Sequence, residues 1–367
     1  MISTSQIRPA KKFGPGYFIK EQMELRDWTQ EELAEVTGFS QKHISELLND
    51  KKPVSLDMAR VLGEVFNISP QYWMNLDTAY RLWVQSEKTE KEAAADIKAQ
   101  IYERMPIRDM VKKGWLPVTK SAEELMNAVK SFWAWEKLDF SVMDRDLLPC
   151  LARRSSAYNQ YNASYALTWY QMARNKAAAI EAPPYRKESL EALYDQLHTF
   201  TPAPKRISDF LAALNQAGVK FLLLPHLEKT YLDGAAFFSG ANPVVAYTAR
   251  YNRIDHFWFT VAHEIAHILL HLDENTPFIL DDLQDDERNQ MEEEANELAA
   301  ARLRHPEIWA FLHPYLHYTP LEKVEECAET YGLHPAIVLG KLAHEDKKYF
   351  RYMGRYQEEV VRWIGAE

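Results

Sequence analysis

The sequence predicts a mainly α-helical chain with one small β-sheet. Three observations carry that expectation. Helix caps follow one another through the first 85 residues, helical patterns fill most of the remainder, and strand-like runs are confined to a stretch after Gly218. A chain of 367 residues is also too long for one typical domain. Its breaks divide it into an N-terminal five-helix domain at 1–85, a helical connector at 86–204 and an α+β domain at 205–367.

In the first part, TQEELAEVTG opens on Thr29 as N-cap with Glu32 three residues on, which makes a capping box, and closes at Gly38. SQKHISELLND starts at Ser40 and sets Ile44, Leu47 and Leu48 on one face. SLDMARVLGEVF begins at Ser55, and SPQYWMNLDTAYRLWV at Ser69 with Pro70 in the first helical position. The charged, alanine-rich QSEKTEKEAAADIKAQIYERM reads as a connecting helix, and residues 130–200 read as helical and rich in aromatics. Pro183, Pro184 and the TPAPK stretch break that pattern. Beyond them ISDFLAALNQAG is a helix closed by Gly218, VKFLLLP a short buried strand, and GAAFFSGANPVVAYT a strand pair turning at Gly240. Helices follow to the end.

Composition narrows the function classes. With 47% hydrophobic and 26% charged residues the chain is an ordinary globular protein. Two cysteines, Cys150 and Cys327, allow at most one disulfide, and MISTSQIRPAKK lacks the apolar stretch of a secretory signal. No apolar run is long enough to span a membrane. The expected home is therefore the cytoplasm. A formal charge of −10 argues against coating nucleic acid by charge alone, while leaving room for a small DNA-reading module.

The segment TVAHEIAHILLH carries the chemistry. His263 and His267 stand four apart, so both imidazoles leave one helical face and can bind one tetrahedral metal. Glu264 beside them is placed to act as a general base on an activated water. Such short motifs also arise by chance, but the neighbours here are almost all apolar, and two histidines and a glutamate in a core helix are costly without a partner. His271 lies eight residues past His263, about 12 Å along a helix, too far to join the same ion. The better third ligand lies in QMEEEANELAAARL, whose apolar stripe runs through Met291, Ala295, Leu298 and Ala299. Glu292 sits beside that stripe, Glu293 points away and Glu294 is at its far margin; the plain alternative is a solvated charge run. Asn296 shares the side of Glu292 and is placed to orient a ligand histidine. Tyr247 and Tyr251, just before the histidine helix, are candidates for stabilising an oxyanion, although aromatic residues there are more often core.

The N-terminal pair TQEELAEVTGFSQKHISELLND has the helix, glycine-containing turn and helix of a helix-turn-helix. Gln41, Lys42, Ser45 and Glu46 face outward on the second helix, where base readers belong; Gln41 suits adenine and Lys42 guanine. Thr29 and Gln30 at a helix N-terminus, with Asn49, Lys51 and Lys52, are candidate phosphate contacts. Residues 1–80 hold 9 Lys+Arg against 11 Asp+Glu, so specific binding to double-stranded operator DNA is expected to rely on a homodimer.

Residues 15–82 resemble the Cro/repressor-like helix-turn-helix family, and within it the HigA type of antitoxin. That resemblance implies an autorepressor that binds its operator as a dimer and neutralises a toxin. The segments GAAFF, PVVAYTARYNRIDHFWFTVAHEIAHILLH, EEEANELAA and YGLHPAIVLGKLAH resemble the ImmA/IrrE family of zinc metallopeptidases, over roughly residues 205–345. LARRSSAYNQYNASYALTWYQMAR is similar to the segment that precedes the peptidase core in fused members. The family implies a gluzincin-like core in which His263, His267 and Glu292 hold Zn2+ and Glu264 is catalytic, acting on a protein substrate such as a repressor, a toxin or the chain itself. The family's segment before the proline is often greasier than AARLRHP, a departure that bears on the substrate groove. Two alternatives stay open: a stress-regulated metalloprotease that uses the helix-turn-helix only for targeting, and an inactive zinc-binding regulator.

Overall fold

The computed structural model describes residues 12–365 apart from 86–88, 142, 144–159, 228, 229, 231, 274, 275, 277, 281–288, 316–318 and 357. Cys150 and the first part of the aromatic middle segment lie outside the described residues. Two compact units emerge, the first ending at Ala94 and the second beginning at Ala95.

The first unit holds the five helices expected: α1 (Pro15–Glu24), α2 (Gln30–Thr37), α3 (Gln41–Leu48), α4 (Leu56–Phe66) and α5 (Pro70–Val84). Their boundaries are local chemistry. Thr29 and Glu32 form the complete capping box, and Gly38 ends α2 in the left-handed region at φ 73°. The hydroxyls of Ser40, Ser55 and Ser69 cap α3, α4 and α5. Inside, Ile19, Leu33, Ile44, Leu47, Leu62 and Trp73 are fully buried in one cluster. Asp50 ties α1 to the end of α3, accepting from the Gly16 amide at 2.8 Å.

The second unit is built on a four-stranded sheet of β1 (Lys220–Leu223), β2 (Gly234–Ser239), β3 (Asn242–Tyr247) and β4 (Phe278–Leu280), in the order β1-β3-β2-β4. β1 runs parallel to β3, while β2 is antiparallel to both β3 and β4. The β2–β3 hairpin turns at Gly240, as expected, with φ 66°. β4 was not expected from sequence; three residues paired only to β2 carry too little local pattern to be seen.

Both faces of the sheet are buried, and alternation along the strands sorts the residues between them. Ala236, Val245 and Tyr247 face the cluster that contains the histidine helix. Ala235, Phe237, Val244 and Ala246 face a second cluster, filled by residues 101–177. Here the structure corrects the expected domain plan. The described part of the connector contains α6 (Glu90–Arg104), α7 (Ile107–Lys112), α8 (Ala122–Trp133) and α9 (Gln160–Ala178). From Ala95 onward it shares the compact unit of the sheet, and α9 roofs the second sheet face rather than bridging two domains. Trp169 Nε1 donates to the Leu224 carbonyl at 3.2 Å, Lys220 Nζ donates to the Ala177 carbonyl at 3.0 Å, and the Tyr170 ring meets Phe237 edge-on at 5.3 Å. Alanine-rich composition suggests a free-standing helix; a neighbour 50 residues away in sequence cannot be read from it.

On the first face, α10 (Lys187–Asp195) and α11 (Arg206–Gln216) flank the long α12 (Ile254–Leu270). After β4 come α13 (Asn289–Arg302), α14 (His305–Leu312), α15 (Leu321–Tyr331) and α16 (Pro335–Glu345), then a 3-10 segment at Lys347–Tyr356 and the short α17 (Val361–Ile364). Among the described residues, no helix is long and apolar enough to cross a membrane.

Phe237→Ala tests the roofed sheet. The fully buried ring spans β2 and α9, so its loss should cost about 3–5 kcal/mol in chemical denaturation of the full chain. A loss under about 1 kcal/mol would mean that the middle helices do not pack on that face.

Candidate metal centre and nucleic-acid interface

α12 begins after Arg253 and runs for 17 residues through the densest part of the core. Phe257, Trp258, Val261, Ala262, Ile265 and Ala266 are all fully buried, so the helix has an apolar contact on nearly every side. Tyr194 on α10 pins it further, its hydroxyl donating to the Ala262 carbonyl at 2.7 Å. His263, Glu264 and His267 are carried into this environment at 5%, 0% and 0% exposure.

α13 packs against α12 through Ala295 and Ala299, which are fully buried, with Met291 and Leu298 half-buried beside them. That stripe turns Glu292 inward, while Glu293 and Glu294 stay exposed. His263, His267 and Glu292 therefore converge, each offering a ligand atom within 4.8 Å of the others. His263 Nε2 and His267 Nε2 are 2.9 Å apart, and the two Glu292 oxygens lie 3.2 Å and 3.5 Å from them. Ligand atoms around a tetrahedral zinc with arms of 2.0–2.1 Å stand about 3.3 Å apart. The donor set of two imidazoles and one carboxylate, with these separations, fits zinc.

Glu264 lies on the neighbouring strip of α12, toward the sheet. At the start of β2 the backbone passes so close that a Cβ on Gly234 would meet Glu264 Oε1 at 2.2 Å and Thr260 Cγ2 at 2.9 Å. Only glycine leaves the carboxylate its place. Next to it, Asp233 stands 3.6 Å from Arg250 and 3.5 Å from His256, holding that strand end to α12. Sequence reasoning did not single out Gly234, Asp233 or His256; the GAAFF segment was noticed only as a resemblance.

Other expected residues have different surroundings. Tyr247 is a core residue, its hydroxyl donating to the Tyr251 carbonyl at 3.0 Å and its pKa raised by burial and then by Asp233 and Asp255. Tyr251 is 43% exposed, with the guanidinium groups of Arg250 and Arg253 over its ring. Asn296 is exposed on α13. The Nδ1 of His267, which a neighbour was expected to orient, faces His271 Nδ1 at 3.0 Å instead. His271 Nε2 is in turn 3.0 Å from Glu294 Oε2, and hydrogen bonds from His271 and Gln290 hold the Glu294 carboxyl below its usual range.

In the first unit, α2, the Gly38 turn and α3 form the helix-turn-helix. Ile44, Leu47 and Leu48 are buried, Gln41, Lys42 and Asn49 are exposed, and Ser45 and Glu46 are half-buried beside them. Lys51 is exposed and Lys52 half-buried in the loop that follows. Asn49 Nδ2 donates to the Ser45 carbonyl at 2.8 Å, so that amide is engaged at the helix end. Gln30 is exposed in the first turn of α2. Thr29 has another partner: its amide and hydroxyl donate to Glu32 Oε2 at 2.7 Å and 2.9 Å. Those hydrogen bonds lower the Glu32 pKa and place a carboxylate where a phosphate was expected. A phosphate at Thr29 would have to displace it.

Comparison with known proteins agrees with both sites. Residues 19–73 match the helix-turn-helix family, and residues 215–342 match the family described as the IrrE N-terminal-like domain, a peptidase family. An uncharacterised HTH-type transcriptional regulator of Haemophilus influenzae is 28% identical over 72 residues, covering 19% of this chain and 67% of that protein. The HTH-type transcriptional regulator YbaQ of Escherichia coli K12 is 31% identical over 91 residues, covering 23% of this chain and 80% of YbaQ. The chain therefore belongs to the HTH-type transcriptional regulators, as a DNA-binding helix-turn-helix domain of the Cro/repressor type fused to an IrrE-like peptidase domain.

Proposed function

We propose that this chain is an antitoxin-type autorepressor whose C-terminal domain is a zinc-dependent endopeptidase. The observation that carries the reading is the convergence of His263, His267 and Glu292, with Glu264 buried next to them. Three protein ligands leave a fourth position open, which is the arrangement of catalytic rather than closed structural zinc sites. Zinc bound there supplies Lewis-acid activation of water and of a peptide carbonyl. Glu264 takes the proton of the attacking water and delivers it to the leaving amine nitrogen. Its burial against Gly234 keeps the carboxylate aimed through both transfers. The substrate is a protein: a repressor, a toxin, or a second copy of the chain.

At the other end, the chain binds double-stranded operator DNA as a homodimer in the cytoplasm. The acidic balance of residues 1–80 gives little non-specific attraction, so two half-sites and base readers must supply affinity. Gln41 and Lys42 are the readers, with Gln30, Ser45, Asn49, Lys51 and Lys52 close to the backbone. The resemblance of residues 15–82 to HigA-type antitoxins supports a cognate toxin as protein partner.

Two outcomes follow. Glu264→Gln should retain zinc but lose cleavage by about 10²–10⁴-fold. The readout is new protein termini by mass spectrometry in cells carrying either form, and equal termini would remove the peptidase reading. The double change Gln41→Ala and Lys42→Ala should abolish the gel shift of DNA upstream of the chain's own gene, each lost base contact costing about 1–3 kcal/mol. An unchanged shift would remove these residues from the interface.

A further inference from the structure

The hydrogen bonds beyond the metal ligands form a chain whose direction is fixed by proton counting. His263, His267 and His271 stand at successive four-residue steps, so their side chains stack along one face of α12. His263 and His267 point Nε2 toward Glu292. His267 turns Nδ1 to His271 Nδ1 at 3.0 Å, and His271 turns Nε2 to Glu294 Oε2 at 3.0 Å. The His271 side chain is 7% exposed, at the last turn, where its amide still donates to the His267 carbonyl at 2.9 Å. Glu294 is steadied from its own helix by Gln290, whose Nε2 donates to Oε1 at 2.8 Å.

We infer that His271 and Glu294 are positioning residues for the metal centre, forming a relay in which Glu294 orients His271 and His271 orients His267. The inference rests on the zinc reading of the preceding subsection. A metal on His267 Nε2 requires that nitrogen to be bare, so the ring's proton sits on Nδ1 and donates to His271 Nδ1. His271 Nδ1 must then be the acceptor, which puts its own proton on Nε2, where it meets the Glu294 carboxylate. Each tautomer is forced by the one before. The result is the carboxylate–histidine–metal arrangement lengthened by one imidazole. It locks the His267 ring against rotation and makes its Nε2 a stronger donor.

The relay also explains why EEE carries two duties. Glu292 and Glu294 leave the same stretch of α13, one to the ligand nitrogens and the other to the outer end of the histidine stack. Glu293, exposed between them, is the natural control.

The test is zinc affinity of the full chain, measured by competition with a chromophoric chelator at fixed pH. His271→Ala should weaken zinc binding about 10–100-fold. Glu294→Ala should weaken it in the same direction and less, because water can replace the carboxylate on an exposed ring edge. Glu294→Gln, whose amide oxygen still accepts from His271, should recover most of that loss, and Glu293→Ala should match the wild type. The melting temperature of each zinc-free chain separates positioning from folding. A fall in melting temperature with unchanged affinity would overturn the relay in favour of a helix-end packing role. Wild-type affinity in both His271→Ala and Glu294→Ala would overturn it outright while leaving the metal site intact. A wild-type chain that binds no zinc would remove the metal reading and the relay with it.

Discussion

Burial of α12 is the constraint on which the peptidase-like unit depends. A helix enclosed by sheet, α10, α13 and α16 leaves no bulk water for the side chains it carries, and polar atoms there must be met within the protein. Leaving one such group unmet costs roughly 1–3 kcal/mol, and more if it is charged. His263 and His267 are met by each other, by Glu292 and by His271. The arrangement demands a second helix at a set distance and rotation. The apolar stripe of Ala295 and Ala299 supplies it, small side chains letting α13 approach while turning Glu292 inward.

The sheet makes the same demand from the other side. β2 must present a residue without a side chain to Glu264, and Gly234 does so at the point where the strand meets α12. A strand held this close needs support on its far face. Phe237 and Ala235 find it in α9 and the helices around it. The middle of the chain is therefore structural support for the candidate site, packed directly behind the strand that approaches the carboxylate. That is a physical reason for it to accompany the peptidase-like core.

Much of this was legible in the sequence, and the limits follow from range. Caps at Thr29, Ser40, Ser55 and Ser69 are decisions made within four residues, so the N-terminal helices could be placed before any fold was known. The paired histidines and the inward turn of Glu292 follow from helical periodicity and needed only α13 to be apolar on one side. What stayed hidden involves partners distant in sequence. His271 was set aside as too far for the ion, which is correct for a ligand, but its role depends on Glu294, 23 residues later. Gly234 shows its purpose only when β2 lies against α12. The helices after Ala95 looked like a connector because their sheet partners come more than 50 residues later. Thr29 was assigned to phosphate as well as to capping, and the capping box claims the group first.

The central claim is that two buried histidines and one glutamate form a metal site rather than a self-satisfied polar cluster. Elemental analysis of the chain purified without chelators, beside its His263→Ala variant, tests it most directly. About one zinc per chain, lost in the variant while the fold persists by circular dichroism, is the result this account predicts. No zinc in the wild type, or equal zinc in both, would contradict it, leaving HEIAH a hydrogen-bonded core element of a DNA-binding regulator.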